Sequence, residues 1–303
     1  MVIPTHNRRS WLRLTLQSVL QQQDPDLEAI VVDDGSTDDT LEMLAEVSDP
    51  RVRVIRHDSP QGVAASRNHG AAEARGAWVA FVDDDDLWSP EKLARQVDAA
   101  IATNRAWVYT GSVNIDDQAR IVGGMPPRPP DDVARLIARQ NVIPGGGSNV
   151  IVRRDEFDRV GPFDVRLKNT EDWELWIRLA EHGPPAWAPW PLMAYRVHTG
   201  NASLDVAAIL EGVSVIERRH ETTADHGVIH RWIGELCLRT GHRSQAVKHL
   251  AIAALRGQAT NVAGDVATIV RRRLGMNRPA TGAPHHPEWI AQARTWLEDL
   301  SRA

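Results

Sequence analysis

The stretch Ala29-Ile30-Val31-Val32-Asp33-Asp34-Gly35-Ser36 joins a short β-branched apolar run directly to two carboxylates and a turn. Apolar residues in unbroken succession, with no polar alternation, read as a strand buried on both faces, the habit of a parallel sheet. Similar runs recur at Val2-Ile3, Val52 to Ile55, Val79 to Val82 and Val108-Tyr109. Helical patterns lie between them: Trp11 to Gln22 with Ser10 as its N-cap, Thr40 to Val47, Ala64 to Ala74, and Lys92 to Thr103 behind Ser89-Pro90. This alternation predicts an α/β fold, a mixed but mainly parallel sheet flanked by helices, with ligands at the carboxyl ends of its strands. Asp33-Asp34 follows the second run and Asp83-Asp84-Asp85-Asp86 the fourth, so both acidic clusters fall on one crevice.

The chain has 303 residues, enough for one large domain and a smaller one, and its 42% apolar and 25% charged content is that of a globular protein. Its net charge of −5 divides into −8 over residues 1–204 and +3 over 205–303. A front part this acidic argues against general nucleic-acid binding. The longest clean apolar stretch, Ala77 to Val82, is far too short to span a bilayer, and Met1-Val2-Ile3-Pro4 carries no secretory pattern. The expectation is a cytoplasmic protein, with peripheral membrane contact left open. A single cysteine, Cys237, forms no internal disulfide and sits in an apolar helical pattern as a core residue.

Residues 123–147 are rich in Pro and Gly and read as loops or a mobile flap. A strand is expected at Asn149 to Val152, followed by a helix presenting Trp173, Trp176, Ile177 and Ala180 on one face. After about residue 205 helical periodicity dominates, so we place domains at 1–204 and 205–303. Within the helical region, Leu236 to Leu255 reads as one tetratricopeptide-like helix-turn-helix unit or as part of a plain helical appendage. Arg271-Arg272-Arg273 would face an anionic lipid, an acidic acceptor or solvent.

Four adjacent carboxylates at a strand end repel one another and are costly to bury unless a cation is bound. Oxygen ligands favour Mg²⁺ or Mn²⁺, which complete their shells with water and substrate phosphate. A solvated acidic turn is the alternative for this run taken alone.

Read together, five segments stand in one order: Val2-Ile3-Pro4-Thr5-His6-Asn7-Arg8; Val31 to Asp38; Gly62 to Gly70 with Arg67-Asn68; Gly76-Ala77-Trp78 into the Asp cluster; and Gly161-Pro162-Phe163-Asp164 with Thr170-Glu171-Asp172-Trp173. Tyr195-Arg196-Val197-His198, with Asn201 and Ser203, closes the series. This order resembles the family 2 glycosyltransferases over residues 1 to about 204, and implies their Rossmann-like GT-A fold and a nucleotide-sugar donor. By that resemblance Pro4, Thr5 and His6 edge the nucleoside pocket and Asp34 accepts a hydrogen bond from the base, while Asp33 lies close by or is a loop carboxylate satisfied by turn amides. Asp83 and Asp85 match the Asp-any-Asp motif: Asp85 would hold a divalent metal against the diphosphate and Asp83 would face the ribose or a water beyond the metal's own ligands, while Asp84 and Asp86 need not touch ligand. Arg67 would pair with phosphate or with a surface carboxylate, Asn68 would fix a helix start or a local turn, and His198 would complete the metal shell or bind phosphate, a structural histidine being its alternative. Only Met1, Val2 and Ile3 precede Pro4, which shortens the first strand relative to the family.

Displacing a nucleoside diphosphate from a sugar develops negative charge on the leaving phosphate, and the acceptor hydroxyl needs a general base on the opposite face. Asp172, at a helix start where the dipole favours a carboxylate, is the candidate base, with Glu171 orienting it or touching acceptor. Trp176 is read as core; Trp88 and Trp173 would stack on sugars or join the core. The expected enzyme is a metal-assisted, inverting hexosyl- or glycosyltransferase using a UDP-sugar first among donors, with a glycan, lipid-linked, peptide or small-molecule acceptor. The helical region would serve a protein partner or self-association. The alternatives are an inactive GT-A scaffold and, further off, a sugar nucleotidylyltransferase, whose Gly-rich phosphate loop is missing where Pro4-Thr5-His6-Asn7 stands.

Overall fold

The computed structural model describes residues 1–302 apart from 24–25, 199, 201–204 and 274–286; for 268–273 and 301–302 it describes the backbone alone. Strands β1 (Val2–Thr5), β2 (Ala29–Asp33) and β3 (Val52–Arg56) form a parallel sheet in that order. Helices α1 (Arg9–Leu20), α2 (Thr40–Ala45) and α3 (Val63–Glu73) connect or follow them. Every residue of β1 and β2 is buried, as unbroken apolar runs require.

A second sheet comprises β4 (Trp78–Ala80), β5 (Leu87–Trp88), β6 (Trp107–Ile115), β7 (Ile121–Met125), β8 (Ile151–Arg153) and β9 (Ala186–Arg196). Its order is β4-β8-β6-β9-β5 with β7 added to β6, and a parallel bridge from Val2 to Phe81 ties it to the first sheet. The α/β fold is thus mixed: parallel through β1, β2 and β3 and between β6 and β9, antiparallel at the other pairings of the second sheet. Helices α4 (Lys92–Thr103), α5 (Pro130–Leu136), α6 (Arg154–Val160) and α7 (Glu171–His182) flank it.

Two local expectations need correcting. Ser10 is not an N-cap, because α1 starts at Arg9 and Arg8 takes the cap position without a side-chain bond. Residues 123–147 are not all loop, since β7 ends at Met125 and α5 starts at Pro130. The Pro-Pro pair there is a helix start: Pro130 occupies the first turn, where its missing N–H costs nothing, and Asp131 and Asp132 follow it toward the positive dipole end.

Beyond β9 the chain is helical: α8 (Val206–Arg219), α9 (His226–Arg239), α10 (Arg243–Ala253), α11 (Ala259–Arg273) and α12 (Pro287–Arg302). Ile209, Val213 and Ile216 of α8 and Ile233 and Cys237 of α9 join the same core as Trp176, Leu179 and Phe163. Helix α12 returns to the second sheet, where Ala293, Trp296, Leu297 and Leu300 close over Val113, Ile115 and Ala194. Gly111 makes that docking possible, because a Cβ there would lie 2.2 Å from the Trp289 ring. Among the described residues no helix is long and apolar enough to cross a membrane.

Candidate active site

The carboxyl ends of β1, β2 and β4 and the start of α7 converge on a cavity of about 380 Å³. Pro4, Thr5, His6, Asp34, Arg67, Asp83, Asp85, Glu171 and Asp172 all line it. Residues separated by more than a hundred positions therefore share one wall, as the crevice rule for open α/β sheets anticipates.

Asp34 is held by three donors: His57 Nδ1 at 2.7 Å and the Gln61 amide at 2.8 Å on Oδ1, and the Gly62 amide at 2.8 Å on Oδ2. Burial works against its charge, but these bonds outweigh burial and hold the carboxyl below its ordinary range. The other ring nitrogen of His57, Nε2, is hydrogen-bonded with His69 Nδ1 at 2.8 Å. Asp33 does not reach the cavity: fully buried, it accepts the Ser36 amide at 3.2 Å and lies 3.5 Å from the Arg56 guanidinium, so its role is to shape the turn.

Of the acidic run, Asp83, Asp84 and Asp85 line the cavity and Asp86 turns away. Asp86 is fully buried, accepting the Ser148 hydroxyl at 2.5 Å and the Arg196 amide at 2.9 Å. Asp84 accepts from Thr5 Oγ1 at 2.7 Å and is pushed up to about 8, first by burial and then by Asp85. Asp84 thus lines the wall, although the resemblance does not require it to touch ligand. Asp85 Oδ2 lies 2.9 Å from Nε2 of His198, whose ring packs at a tilt against Trp11 with centroids 4.3 Å apart.

This carboxylate–imidazole pair fits a divalent cation. Two ligands of one octahedral ion at about 2.1 Å lie about 3 Å apart, close to the spacing seen here. Among the described residues no group of three or more acidic, His or Cys side chains closes around a point, so water and substrate oxygens would supply the other ligands. Asn201 and Ser203 of the closing motif, and the Arg271-Arg272-Arg273 side chains, lie outside the described residues.

Arg67 sits between the two acidic groups. It is 3% exposed, with Nη2 donating to Asp83 at 2.5 Å and Nη1 to Glu171 at 2.8 Å. Burial disfavours its charge, yet Asp83 and Glu171 raise its pKa above the ordinary value. The surface pairing expected as one option is therefore a buried clamp. Asn68, beside it, exchanges two bonds with the Phe163 backbone, at 2.8 and 2.9 Å, and so joins α3 to a distant loop rather than fixing a local turn.

Asp172 occupies the first turn of α7 and accepts the Trp173 amide at 2.6 Å. Burial first, and the neighbouring Glu171 second, push it up to about 7 against the pull of Arg67. An acid with that pKa is well placed to exchange protons near neutral pH. The tryptophans stay in the core: Trp88 donates to the Ser148 carbonyl, Trp173 to the Ile137 carbonyl, and Trp176 is fully buried.

Sequence reading missed Arg8, Ser66, Gly146, Gly147, Asn169 and Tyr195 on this wall. The Gly145-Gly146-Gly147 run was the available signal. A Cβ on Gly146 would lie 3.1 Å from Asp172 Oδ2, and one on Gly147 2.6 Å from Arg67, so the glycines give those side chains room.

Residues 1–161 match the model of glycosyl transferase family 2. A PGL/p-HBAD biosynthesis glycosyltransferase of Mycobacterium bovis is 32% identical over 184 residues, 59% of this chain and 68% of its own. The structure of S. aureus TarS 1-349 in complex with UDP superposes with a TM-score of 0.58 at 18% identity, covering 99% of this chain and 90% of that 1-349 chain. Mannosyltransferase PcManGT from Pyrobaculum calidifontis, in complex with GDP-Man and Mn²⁺, gives 0.58 at 18% identity, covering 99% and 84%. The ordered motifs, the mixed α/β fold and the family match over more than half the chain lead to one conclusion: this protein belongs to glycosyl transferase family 2.

Proposed function

We propose that the protein transfers a sugar from a nucleoside diphosphate donor to an acceptor hydroxyl in one displacement with inversion. The reading is carried by the two sides of the cavity, where Asp34 and Asp83 to Asp85 face Asp172, poised near pH 7, with Arg67 between them. In the reaction the acceptor hydroxyl gives its proton to Asp172 as its oxygen bonds the anomeric carbon, while the bond from that carbon to the diphosphate oxygen breaks on the opposite face. Glu171, paired with Arg67, orients the start of α7. Pro4, Thr5 and His6 edge the nucleoside site and Asp34 accepts from the base.

Asp85 and His198 would hold a divalent metal, Mn²⁺ or Mg²⁺, which when bound neutralises charge on the diphosphate. TarS in complex with UDP and PcManGT in complex with GDP-Man support the donor class, and the Mn²⁺ of the PcManGT complex supports the metal. Uridine is the first base to test and guanine the second.

Thermal unfolding with UDP, GDP, dTDP and CMP, each with and without Mn²⁺, tests this reading, because a ligand that binds only the native state raises the melting temperature. The expected result is a Mn²⁺-dependent rise with one nucleotide, lost in Asp85→Ala. No rise with any nucleotide would favour a scaffold that keeps the fold without the donor site.

A further inference from the structure

If a diphosphate enters this cavity it meets the carboxylates of Asp83 and Asp85 on the wall, and one divalent ion does not balance these together with the charge of the phosphates themselves. Arg67 is a poor candidate for the remaining charge, since its own charge is already balanced by the flanking Asp83 and Glu171 carboxylates and it is almost fully buried. Arg8 is the other arginine on the wall. We infer that Arg8 binds the donor's diphosphate and stabilises it as the leaving group, an assignment that rests on the donor class proposed above.

The local structure aims Arg8 there. The preceding Asn7 is held at φ 55°, a left-handed conformation that costs a non-glycine residue energy unless something fixes it. Asn7 is fixed by its own bonds: its amide donates to Ser36 Oγ at 2.9 Å, and its Oδ1 accepts the Thr37 and Asp38 amides at 2.7 and 3.2 Å. The turn between β1 and α1 is thus pinned to the turn after β2, and Arg8 emerges from it at the cap of α1.

The guanidinium lies 4.9 Å over the Trp11 ring, which in turn packs at a tilt against His198. Arg8 Nη2 donates to the Gly200 carbonyl at 3.0 Å, and a Cβ on Gly200 would touch both Arg8 and the His198 ring. Arg8 therefore shares a wall with the Asp85–His198 pair, where a diphosphate held by a metal on that pair would lie. A guanidinium carries five N–H donors in a planar fork suited to phosphate. Among the described residues Gly200 takes one of them, and stacking on Trp11 orients the group without using any. As the bond between sugar and diphosphate breaks, the electron pair stays on the diphosphate oxygen, and Arg8 donates to the charge that develops there.

The test compares a nucleotide with its nucleoside. Binding of UDP, uridine, GDP and guanosine in the presence of Mn²⁺ is measured by titration calorimetry or ligand-observed NMR on wild type, Arg8→Ala, Arg8→Lys and the exposed neighbour Arg9→Ala, with thermal unfolding to verify folding. Expected for Arg8→Ala is a loss of about ten- to a hundredfold in affinity for the diphosphate that wild type binds, as for one charge-assisted contact, with nucleoside affinity unchanged. Arg8→Lys recovers part of the loss, and Arg9→Ala binds as wild type. Equal affinity of Arg8→Ala and wild type for the diphosphate overturns the inference, and so does an equal loss for diphosphate and nucleoside, which would make Arg8 a prop for Gly200. Wild type binding neither diphosphate would instead overturn the donor class itself, and the inference with it.

Discussion

Gly147 lies so close to Arg67 that a Cβ on the glycine would come within 2.6 Å of the guanidinium. The side chain it would displace cannot retreat cheaply, because Asp83 and Glu171 grip both arms in a buried setting. Backbone and ion pair are therefore fitted to each other.

Gly147→Ala should cost about 1–3 kcal/mol through overpacking. Arg67→Met should cost more, about 3–5 kcal/mol, because it leaves Glu171 buried without its counter-ion. Denaturant unfolding of the two variants against wild type checks the order; Arg67→Met as stable as wild type would show that the clamp contributes nothing.

Asp172→Asn should abolish transfer while leaving nucleotide binding intact. The wild-type rate should fall tenfold per pH unit below about 7, because only the ionised base accepts the proton. The same raised pKa has the opposite effect on stability. A carboxyl whose folded pKa lies above its unfolded value favours the fold fully below pH ~4, and that contribution is lost as pH rises through about 7. Asp172→Asn should thus melt several degrees above wild type at pH 8 and close to it at pH 4. A pH–rate profile and two thermal melts decide this.

His198→Gln should raise the Mn²⁺ concentration needed for half-maximal rate at least about tenfold, the range seen when metal-site groups are lost. Chelation with EDTA should stop wild-type turnover, and added Mn²⁺ should restore it. Turnover that persists in a metal-free preparation would remove Asp85 and His198 from the metal role.

Trp296→Ala should destabilise the protein by about 3–5 kcal/mol, since the ring is 9% exposed, donates to the Pro191 carbonyl at 2.9 Å and sits in the apolar seam beneath α12. Gly111→Ala should act through the same seam by expelling Trp289. Increased binding of a hydrophobic dye by both variants, with weaker unfolding midpoints, is the expected signature.

The fold and most of the site's membership could be read from the chain because they depend on order and local chemistry. Unbroken apolar runs ending in acids marked β1, β2 and the Asp83 cluster, and the spacing of Trp173, Trp176 and Ile177 marked α7. What could not be read was set by packing between distant segments. Nothing local tells Asp33, closed in its turn, from Asp34, open to the cavity; the difference is the arrival of His57, Gln61 and Gly62 around the second carboxyl. Arg67 was ambiguous for the same reason, since Glu171 is 104 positions away. The long strands β6 and β9 hid behind polar and proline residues that only their pairing with each other makes tolerable.

The second sheet is finished at Arg196, while the helix that covers its outer face starts at Pro287, about ninety residues later. At a synthesis rate of roughly 5–20 residues per second, the growing chain carries Val113, Ile115 and Ala194 uncovered for several seconds after their strands exist. Order of synthesis, as much as final stability, therefore sets how much of this protein reaches its native state, and slowing translation between α11 and α12 should divert chains into aggregates.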